Sequence, residues 1–249
     1  MHEKENQRIF ISGASRGIGA QLALAYAQEN VVLGLLARNE EKLKNVALAC
    51  QKKKATVFTY TADVTDFPKI RNICLDFVDK AGGIDIVIAN AGMATGPSRK
   101  GLYASDRLCE VVNTNCCGAI FLLNEFLPII LNQKEGTLVA ISSVASFLPF
   151  LPGSYAASKV ALNYFMEGLR LRHETKKIRF VTICPGYVAT DMTSHYSKLP
   201  FVISSEKAAK KIISAINKGR RLYIFPAIWR FVILIAKLMP GMVRRYLLK

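Results

Sequence analysis

Tyr155 and Lys159 are the residues of this sequence whose types and spacing best suit proton transfer. They stand four residues apart in Tyr-Ala-Ala-Ser-Lys, at the start of a predicted helix, so both side chains lie on one face. A free phenol has a pKa of about 10. A neighbouring ammonium favours the phenolate and brings that pKa towards neutrality. Such a pair is often an ordinary surface pair, so its interpretation depends on the rest of the chain.

A glycine-rich loop lies near the N-terminus, between an apolar run and an amphipathic helical pattern. Glycines there let a strand turn sharply, so that backbone N–H groups approach a pyrophosphate at the start of the helix. The spacing is GxxxGxG, and its strand–loop–helix setting predicts a dinucleotide site. The loop residues that we predict to bind the cofactor are Gly13, Ser15, Arg16, Gly17, Ile18 and Gly19.

The end of the second predicted strand indicates which nicotinamide nucleotide binds. An NAD site usually places Asp or Glu there, bonded to the ribose 2′-OH. This chain has Ala37 followed by Arg38, and Arg16 lies in the glycine loop. Two guanidinium groups without a carboxylate suit a 2′-phosphate, which Arg binds bidentately. We therefore predict that NADP(H) is preferred over NAD(H); the alternative is that both arginines are solvated surface residues.

The scaffold that positions these residues follows from alternating strand and helix patterns. Most strand candidates are continuously apolar, as in parallel strands covered on both faces. We predict an α/β fold, a single doubly wound Rossmann-type domain with a parallel sheet of about seven strands and helices on both faces. The predicted strands are 8–12, 31–37, 56–62, 85–91, 136–142, 179–185 and 221–226, the helices lie near 18–29, 40–53, 67–80, 104–131, 154–175 and 205–218, and the expected N-caps are Asn39, Asp66 and Ser204 or Ser205.

These features together resemble the short-chain dehydrogenase/reductase family, in its branch of roughly 250 residues, over residues 7–226. They occur in the family's order and at similar intervals. The matching pieces are Gly13 to Gly19, Asp63-Val64, Asn90-Ala91-Gly92, Asn115 with Gly118, Ser142-Ser143, Tyr155 with Lys159, and Pro185 to Thr190.

The resemblance implies a catalytic group of Asn115, Ser143, Tyr155 and Lys159. Tyr155 would donate a proton to a carbonyl oxygen, or remove one from an alcohol. Lys159 would lower the phenol's pKa and hold the nicotinamide ribose hydroxyls. Ser143 would hydrogen-bond the substrate oxygen as charge develops. Asn115 would anchor a water in a proton relay behind Lys159.

The resemblance also implies the remaining cofactor contacts, alongside Tyr155 and Lys159. Asp63 would bond the adenine amino group, and Thr190 the nicotinamide carboxamide. Segment 90–92 would line the cleft, and segment 185–190 would cover the nicotinamide. The other implied cofactor-binding residues are Arg38, Val64, Asn90, Ala91, Gly92, Pro185, Gly186 and Val188.

Two assignments have neighbouring competitors. The family interval to Tyr155 selects Ser142, whereas the strand context selects Ser143; we prefer Ser143 because strand register fixes side-chain direction and loops absorb deletions. Asn113 competes with Asn115, and the interval to Gly118 favours Asn115.

Charge is unevenly placed along the chain. The net charge is +16, and residues 206–249 contain eleven Lys or Arg and one acid. The sequence shows no nucleic-acid motif, so we expect no nucleic-acid partner. Segment 227–249 mixes cations with apolar residues, which predicts peripheral contact with an anionic membrane surface. The open alternative is a helix that packs on the substrate lobe or on a sister subunit.

The flap at about 191–205, together with Met93 and segment 147–152, predicts an apolar substrate site. We therefore expect an enzyme of domain 1–226 that interconverts a small hydrophobic ketone or aldehyde and its alcohol. The alternative is a non-catalytic NADP(H)-binding scaffold or sensor. By analogy with the family, we expect a homodimer or homotetramer.

Six cysteines at irregular spacing predict no metal site. No signal peptide is apparent, so we expect a cytoplasmic protein, with peripheral contact at the inner membrane face.

Overall fold

The computed structural model describes residues 6–94, 105–148, 153–194 and 198–239. Seven strands form one sheet in the order β3-β2-β1-β4-β5-β6-β9, and every pairing is parallel. The strands are β1 (Gln7–Ser12), β2 (Val31–Ala37), β3 (Thr56–Thr61), β4 (Ile86–Ala89), β5 (Gly136–Ile141), β6 (Ile178–Pro185) and β9 (Leu222–Phe225), and a separate pair is formed by β7 (Val188–Ala189) and β8 (Ile203–Ser204). The predicted α/β architecture is confirmed.

Helices cover both faces of this sheet. One face carries α1, α2 and α7, and the other carries α3, α5 and α6. Each face of the sheet has its own apolar core. Every residue of β2, β4 and β5 is buried, which explains their continuously apolar sequences. The helices are α1 (Gly17–Tyr26), α2 (Glu40–Gln51), α3 (Phe67–Ala81), α4 (Ser105–Val112), α5 (Ala119–Gln133), α6 (Gly153–His173), α7 (Ser205–Asn217) and α8 (Ile228–Leu238).

The predicted N-caps start three of these helices. Asn39 accepts a hydrogen bond from the N–H of Lys42, and Asp66 accepts one from the N–H of Lys69. For α7 the structure selects Ser204, which caps the N–H of Lys207. These caps fix where the chain turns from the carboxyl ends of the strands back into helices.

The structure corrects several boundaries. Predicted strand 85–91 covers only Ile86–Ala89, because Asn90 leaves the ladder to bond the β1 end. Predicted helix 18–29 ends at Tyr26. Predicted helix 104–131 is divided by a π-helical segment, Asn113–Gly118, and its first residue lies outside the described part.

The run Ser105–Gln133 is long and apolar enough to cross a membrane by length and composition. More than half of its most apolar window is buried inside the domain. Leu122, Phe126 and Ile130 of α5 belong to the core on the α3 and α6 side of the sheet. This run is therefore explained as a core helix of the doubly wound domain.

Candidate active site

A cavity of about 850 Å³ opens where the strands of the sheet end. Its walls are the segments that directly follow β1 to β6, on both sides of the point where strand order reverses between β1 and β4. All the predicted site residues line it except Gly19 and Asn115, which pack immediately behind the wall. The predicted residues that line it are Gly13, Ser15, Arg16, Gly17, Ile18, Arg38, Asp63, Val64, Asn90, Ala91, Gly92, Ser143, Tyr155, Lys159, Pro185, Gly186, Val188 and Thr190.

The glycine loop is held closely against the end of β4. The amide of Asn90 donates to the carbonyl oxygens of Ser12 and Gly13, at 3.0 and 3.2 Å. Gly13 has φ +67°, and a Cβ there would lie 2.8 Å from the Cα of Ala91. A Cβ on Gly19 would lie 2.6 Å from the Asn90 amide nitrogen. These positions therefore require glycine, and the turn leaves the first N–H groups of α1 free to face a pyrophosphate.

The adenosine end of the cavity has no carboxylate at the end of β2. Ala37 occupies that position, and Arg38 follows it. Arg38 forms an exposed ion pair with Asp63 at 3.3 Å, and Arg16 forms one with Asp191 at 2.9 Å. Lys42, which the sequence analysis missed, also lines this end. Its position in the first turn of α2, one turn after Arg38, was the available signal.

The predicted catalytic group meets at the other end of the cavity. Ser143 and Tyr155 both line it, and the Ser143 side chain lies close enough to the phenol to lower its pKa. The Nζ atom of Lys159 lies 5.9 Å from the Tyr155 ring centroid and donates to the carbonyl oxygen of Ile141 at 2.9 Å. Helix α6 thus presents both side chains to the serine that follows β5, as their four-residue spacing predicts.

Burial governs the acidity of both groups. It raises the pKa of Tyr155, and the hydrogen bond from Ser143 offsets only part of that rise. Burial also lowers the pKa of Lys159 to about 8. The prediction that the phenol pKa lies below its ordinary value is wrong, because desolvation of the buried ring outweighs the stabilisation of the phenolate.

The competing serine and asparagine have different surroundings. Ser142 is buried, and its hydroxyl donates to the backbone carbonyl of Lys159 at 3.3 Å, whereas Ser143 meets the phenol. Asn113 is exposed on the outer side of the π-helical segment. Asn115 is fully buried and bonds both backbone groups of Met93, at 2.7 and 2.8 Å. The geometry therefore favours Ser143 and Asn115.

The π-helical segment explains how Asn115 reaches the site. A π turn adds one residue per turn and redirects the side chains that follow it. The amide of Asn115 donates to Ser158 on α6, and a Cβ on Gly92 would lie 3.2 Å from the Asn115 Oδ1 atom. The asparagine therefore joins α6 to the loop after β4, directly behind the Lys159 ammonium.

The segment after β6 covers the cavity. A Cβ on Gly17 would lie 3.2 Å from the methyl group of Thr190, so this cover reaches the glycine loop. The adjacent walls are apolar, formed by Val144, Tyr187, Met192 and Leu199. In the predicted flap, 195–197 lies outside the described residues, as does 149–152 in the second predicted apolar loop. The cations among the described lining residues are Arg16, Arg38, Lys42 and Lys159.

Comparison with known proteins agrees with this geometry. The short chain dehydrogenase family matches residues 7–199. An 11-beta-hydroxysteroid dehydrogenase 1A of Arabidopsis thaliana is 31% identical over 94% of this chain and 72% of its own. A Sphingobium yanoikuyae short-chain dehydrogenase solved with NADPH has a TM-score of 0.80 at 23% identity, over 93% of each chain. A Burkholderia phymatum relative solved with NAD has a TM-score of 0.83 at 20% identity, over 94% of each chain.

These matches define the class of the protein. The family covers more than half of the chain, and the glycine loop, the serine, the tyrosine and the lysine stand in one cavity. The chain belongs to the short-chain dehydrogenase/reductase family of oxidoreductases.

Proposed function

We propose that this protein is an NADP(H)-dependent oxidoreductase that interconverts a hydrophobic ketone or aldehyde and its alcohol, with Tyr155 as the proton donor and acceptor. The observation that carries the proposal is that Tyr155, Ser143 and Lys159 line one end of a dinucleotide-sized cavity, with the Lys159 Nζ atom 5.9 Å from the Tyr155 ring centroid. The opposite end of the same cavity has the glycine cradle.

The described residues fit a nicotinamide dinucleotide. The glycine loop lines the end of the cavity where a pyrophosphate would lie, and segment 185–190 lines the end beside Tyr155. The bound cofactor supplies or accepts the hydride. Arg16, Arg38 and Lys42 surround the end where a 2′-phosphate would lie, which supports NADP(H). The solved relatives bind NADPH in one case and NAD in the other, so they do not determine the preference.

Tyr155 is suited to give a proton in the reducing direction. Its raised pKa keeps the phenol protonated at neutral pH, and the hydroxyl donates that proton to the carbonyl oxygen of the substrate. Ser143 donates a hydrogen bond to the same oxygen as negative charge develops. Lys159, cationic below its pKa of about 8, stabilises the phenolate that remains and holds the ribose hydroxyls. In the oxidising direction the phenolate takes the proton back.

An apolar substrate is favoured by the walls next to Tyr155. Val144, Tyr187, Met192 and Leu199 offer no cation for a carboxylate or a phosphate. The Arabidopsis relative carries the name of a hydroxysteroid dehydrogenase, which is consistent with a large apolar alcohol or ketone. The test panel therefore consists of steroid-like, aromatic and long-chain ketones, with NADPH and NADH compared by the change in cofactor absorbance.

The decisive variant is Tyr155→Phe. It removes the proton donor and keeps the ring, so we expect about a 10²–10⁴-fold loss of kcat on any ketone the enzyme reduces, with the affinity for NADPH retained. The matched control is Tyr164→Phe, the same change on an exposed position of α6, which leaves kcat unchanged. A Tyr155→Phe enzyme with full activity would show that the assigned mechanism is wrong. A wild-type protein that binds NADPH and reduces no ketone on the panel would instead be the scaffold or sensor.

A further inference from the structure

Helix α8 has two apolar faces that point in different directions. Trp229 and Ile233 face inwards and pack with Val144 and Leu148 in a small core of their own. The outer stripe, as we call Phe231, Leu234, Ile235 and Leu238, follows the i, i+3, i+4, i+7 spacing of one helical face. Their exposed fractions are 63, 55, 59 and 76%, respectively. Nothing in the described part of the chain covers this stripe.

The sequence segment that contains the outer stripe is cationic. From residue 207 to the C-terminus it has eleven Lys or Arg and no Asp or Glu. Arg230 and Lys237 are both exposed on α8 itself. Exposed apolar side chains in a helix with cations and no acids in its sequence are the composition of a helix that lies in the headgroup region of an anionic bilayer. Eleven residues of helix are about 16 Å long, too short to span a membrane.

A second copy of this chain suits the same surface less well. Pairing two molecules through α8 would bring two strongly cationic segments together, and like charges at an interface oppose association. An anionic bilayer is complementary to both the apolar and the cationic parts of this surface.

Helix α8 also packs directly behind the substrate end of the cleft. The Trp229 ring makes an edge contact with Tyr187, at 5.5 Å between centroids, and another with Phe201, at 6.2 Å. A Cβ on Gly186 would overlap the Nε1 and Cδ1 atoms of the Trp229 ring. Gly186 and Tyr187 line the cavity. Met192, which also lines the cavity, is exposed.

We propose that the outer stripe docks the protein on an anionic lipid bilayer, and that the substrate end of the cleft faces this bilayer. A membrane-dissolved ketone then enters the site from the lipid. The docking stands on α8 alone, whereas the route of entry rests on the proposed function. Of the two alternatives for segment 227–249, packing on the substrate lobe describes the inner face of α8, and membrane contact is what we propose for its outer face; residues 240–249 lie outside the described part.

Docking is tested by co-sedimentation of the full chain with vesicles. We expect the wild type to pellet with vesicles that contain phosphatidylglycerol at least ten times more than with pure phosphatidylcholine, and to be released by high salt. Replacing both Leu234 and Ile235 by Glu is expected to reduce the bound fraction at least tenfold. The control is Leu75→Glu, at a 58% exposed position on α3, which leaves vesicle binding unchanged.

Other outcomes overturn the docking proposal. Equal pelleting of the wild type with anionic and neutral vesicles would do so. So would a double variant that binds vesicles normally but changes the oligomer mass measured by light scattering, because the stripe would then be a subunit interface. Retained NADPH affinity shows that the double variant is folded.

The route of entry is tested with two ketones of different solubility. The double variant should reduce a water-soluble ketone at the wild-type rate and a vesicle-dissolved ketone at least five times more slowly. Equal rates on both ketones would contradict the route. If the wild type reduces no ketone, the proposed function fails, while the sedimentation result still decides whether α8 docks on lipid.

Discussion

The two ends of the cleft are built by different means. At the cofactor end, the loops after β1 and β4 bond each other directly; the Ser12 hydroxyl accepts from the N–H groups of Asn90 and Ala91 at 3.0 and 3.1 Å. At the substrate end, the wall consists of side chains from a 3₁₀ turn (Val144–Phe147) and from the segment that follows β6, with α8 packed behind them. One of the wall's side chains, Met192, is exposed.

This difference shows which part of the site the sheet determines. Close contacts between the ends of adjacent strands leave no space for a larger side chain. Side chains on segments outside the sheet can be exchanged while the sheet stays the same. The cofactor end should therefore respond sharply to a single added methyl group. The substrate end should tolerate substitution and alter specificity instead.

The largest effect is expected from Gly19→Ala. The added methyl group would lie 2.6 Å from the Asn90 amide nitrogen and would push the glycine loop away from β4. Loss of two or more charged hydrogen bonds to the pyrophosphate, worth about 1.5–3 kcal/mol each, should lower the affinity for NADPH by about 10²–10⁴-fold in a fluorescence titration. Gly168→Ala is the control, because a Cβ there meets nothing within 4 Å. Unchanged NADPH binding by Gly19→Ala would show that the glycine loop and the loop after β4 can move apart without loss of the cofactor site.

The same contrast explains how much of the fold was predictable. The strands were predictable because β2, β5 and β6 are buried on both faces, which requires continuous apolar runs. The short β4 was not, because a tertiary hydrogen bond to Ser12, rather than the local sequence, ends its ladder. The π-helical segment Asn113–Gly118 was not predictable either, because it preserves the helical pattern on either side.

The candidate site was predictable at its cofactor end for a similar reason. The glycine loop depends on local spacing, which the sequence displays directly, and the same holds for the Tyr155/Lys159 pair at the other end of the cavity. Lys42 was missed because its approach to the cavity depends on the direction in which α2 leaves the sheet. The raised pKa of Tyr155 was missed because burial is a property of the assembled cleft.

Ser143→Ala is the next largest expected effect. Removing the hydroxyl that meets Tyr155 should lower kcat on a ketone by about 10²–10³-fold, the usual loss for one oxyanion donor. Ser142→Ala is the matched control, since that hydroxyl bonds the backbone of α6, and its loss should be below about tenfold. If the two losses were reversed, Ser142 would be the serine that contacts the substrate.

A smaller effect is expected at the adenosine end. Arg38→Ala should weaken NADPH binding about 10–100-fold, as for loss of charged hydrogen bonds worth about 1.5–3 kcal/mol, and leave NADH binding nearly unchanged. Lys44→Ala, on the same helix as Lys42 and paired with Glu40, should alter neither. Equal losses for both nucleotides would contradict the 2′-phosphate assignment. Equal losses would mean that Arg38 contacts a part of the nucleotide that NADPH and NADH have in common.

The smallest effect is expected from pH. Lys159 has a pKa lowered to about 8, so its ammonium is lost between pH 7 and 9, and kcat/KM for NADPH should fall about tenfold over that range. The phenol does not cause this fall, because its pKa lies above its ordinary value. Lys159→Met should have a low kcat/KM without this step, and a flat wild-type profile up to pH 9 would contradict the lysine assignment.

Loss of the Lys159 proton should affect activity and stability in opposite directions, which separates this titration from alkaline unfolding. Between pH 8 and the ordinary lysine value of 10.5, the unfolded chain keeps the Lys159 proton while the folded chain loses it. The free energy of unfolding therefore gains from this lysine as pH rises, since the cost of burying its charge disappears. Activity that falls while this contribution to stability increases is the signature of a buried ammonium at the substrate end of the cleft. If the activity and the free energy of unfolding of the wild type both declined as pH rises, and neither declined in Lys159→Met, the lysine would have a structural role instead.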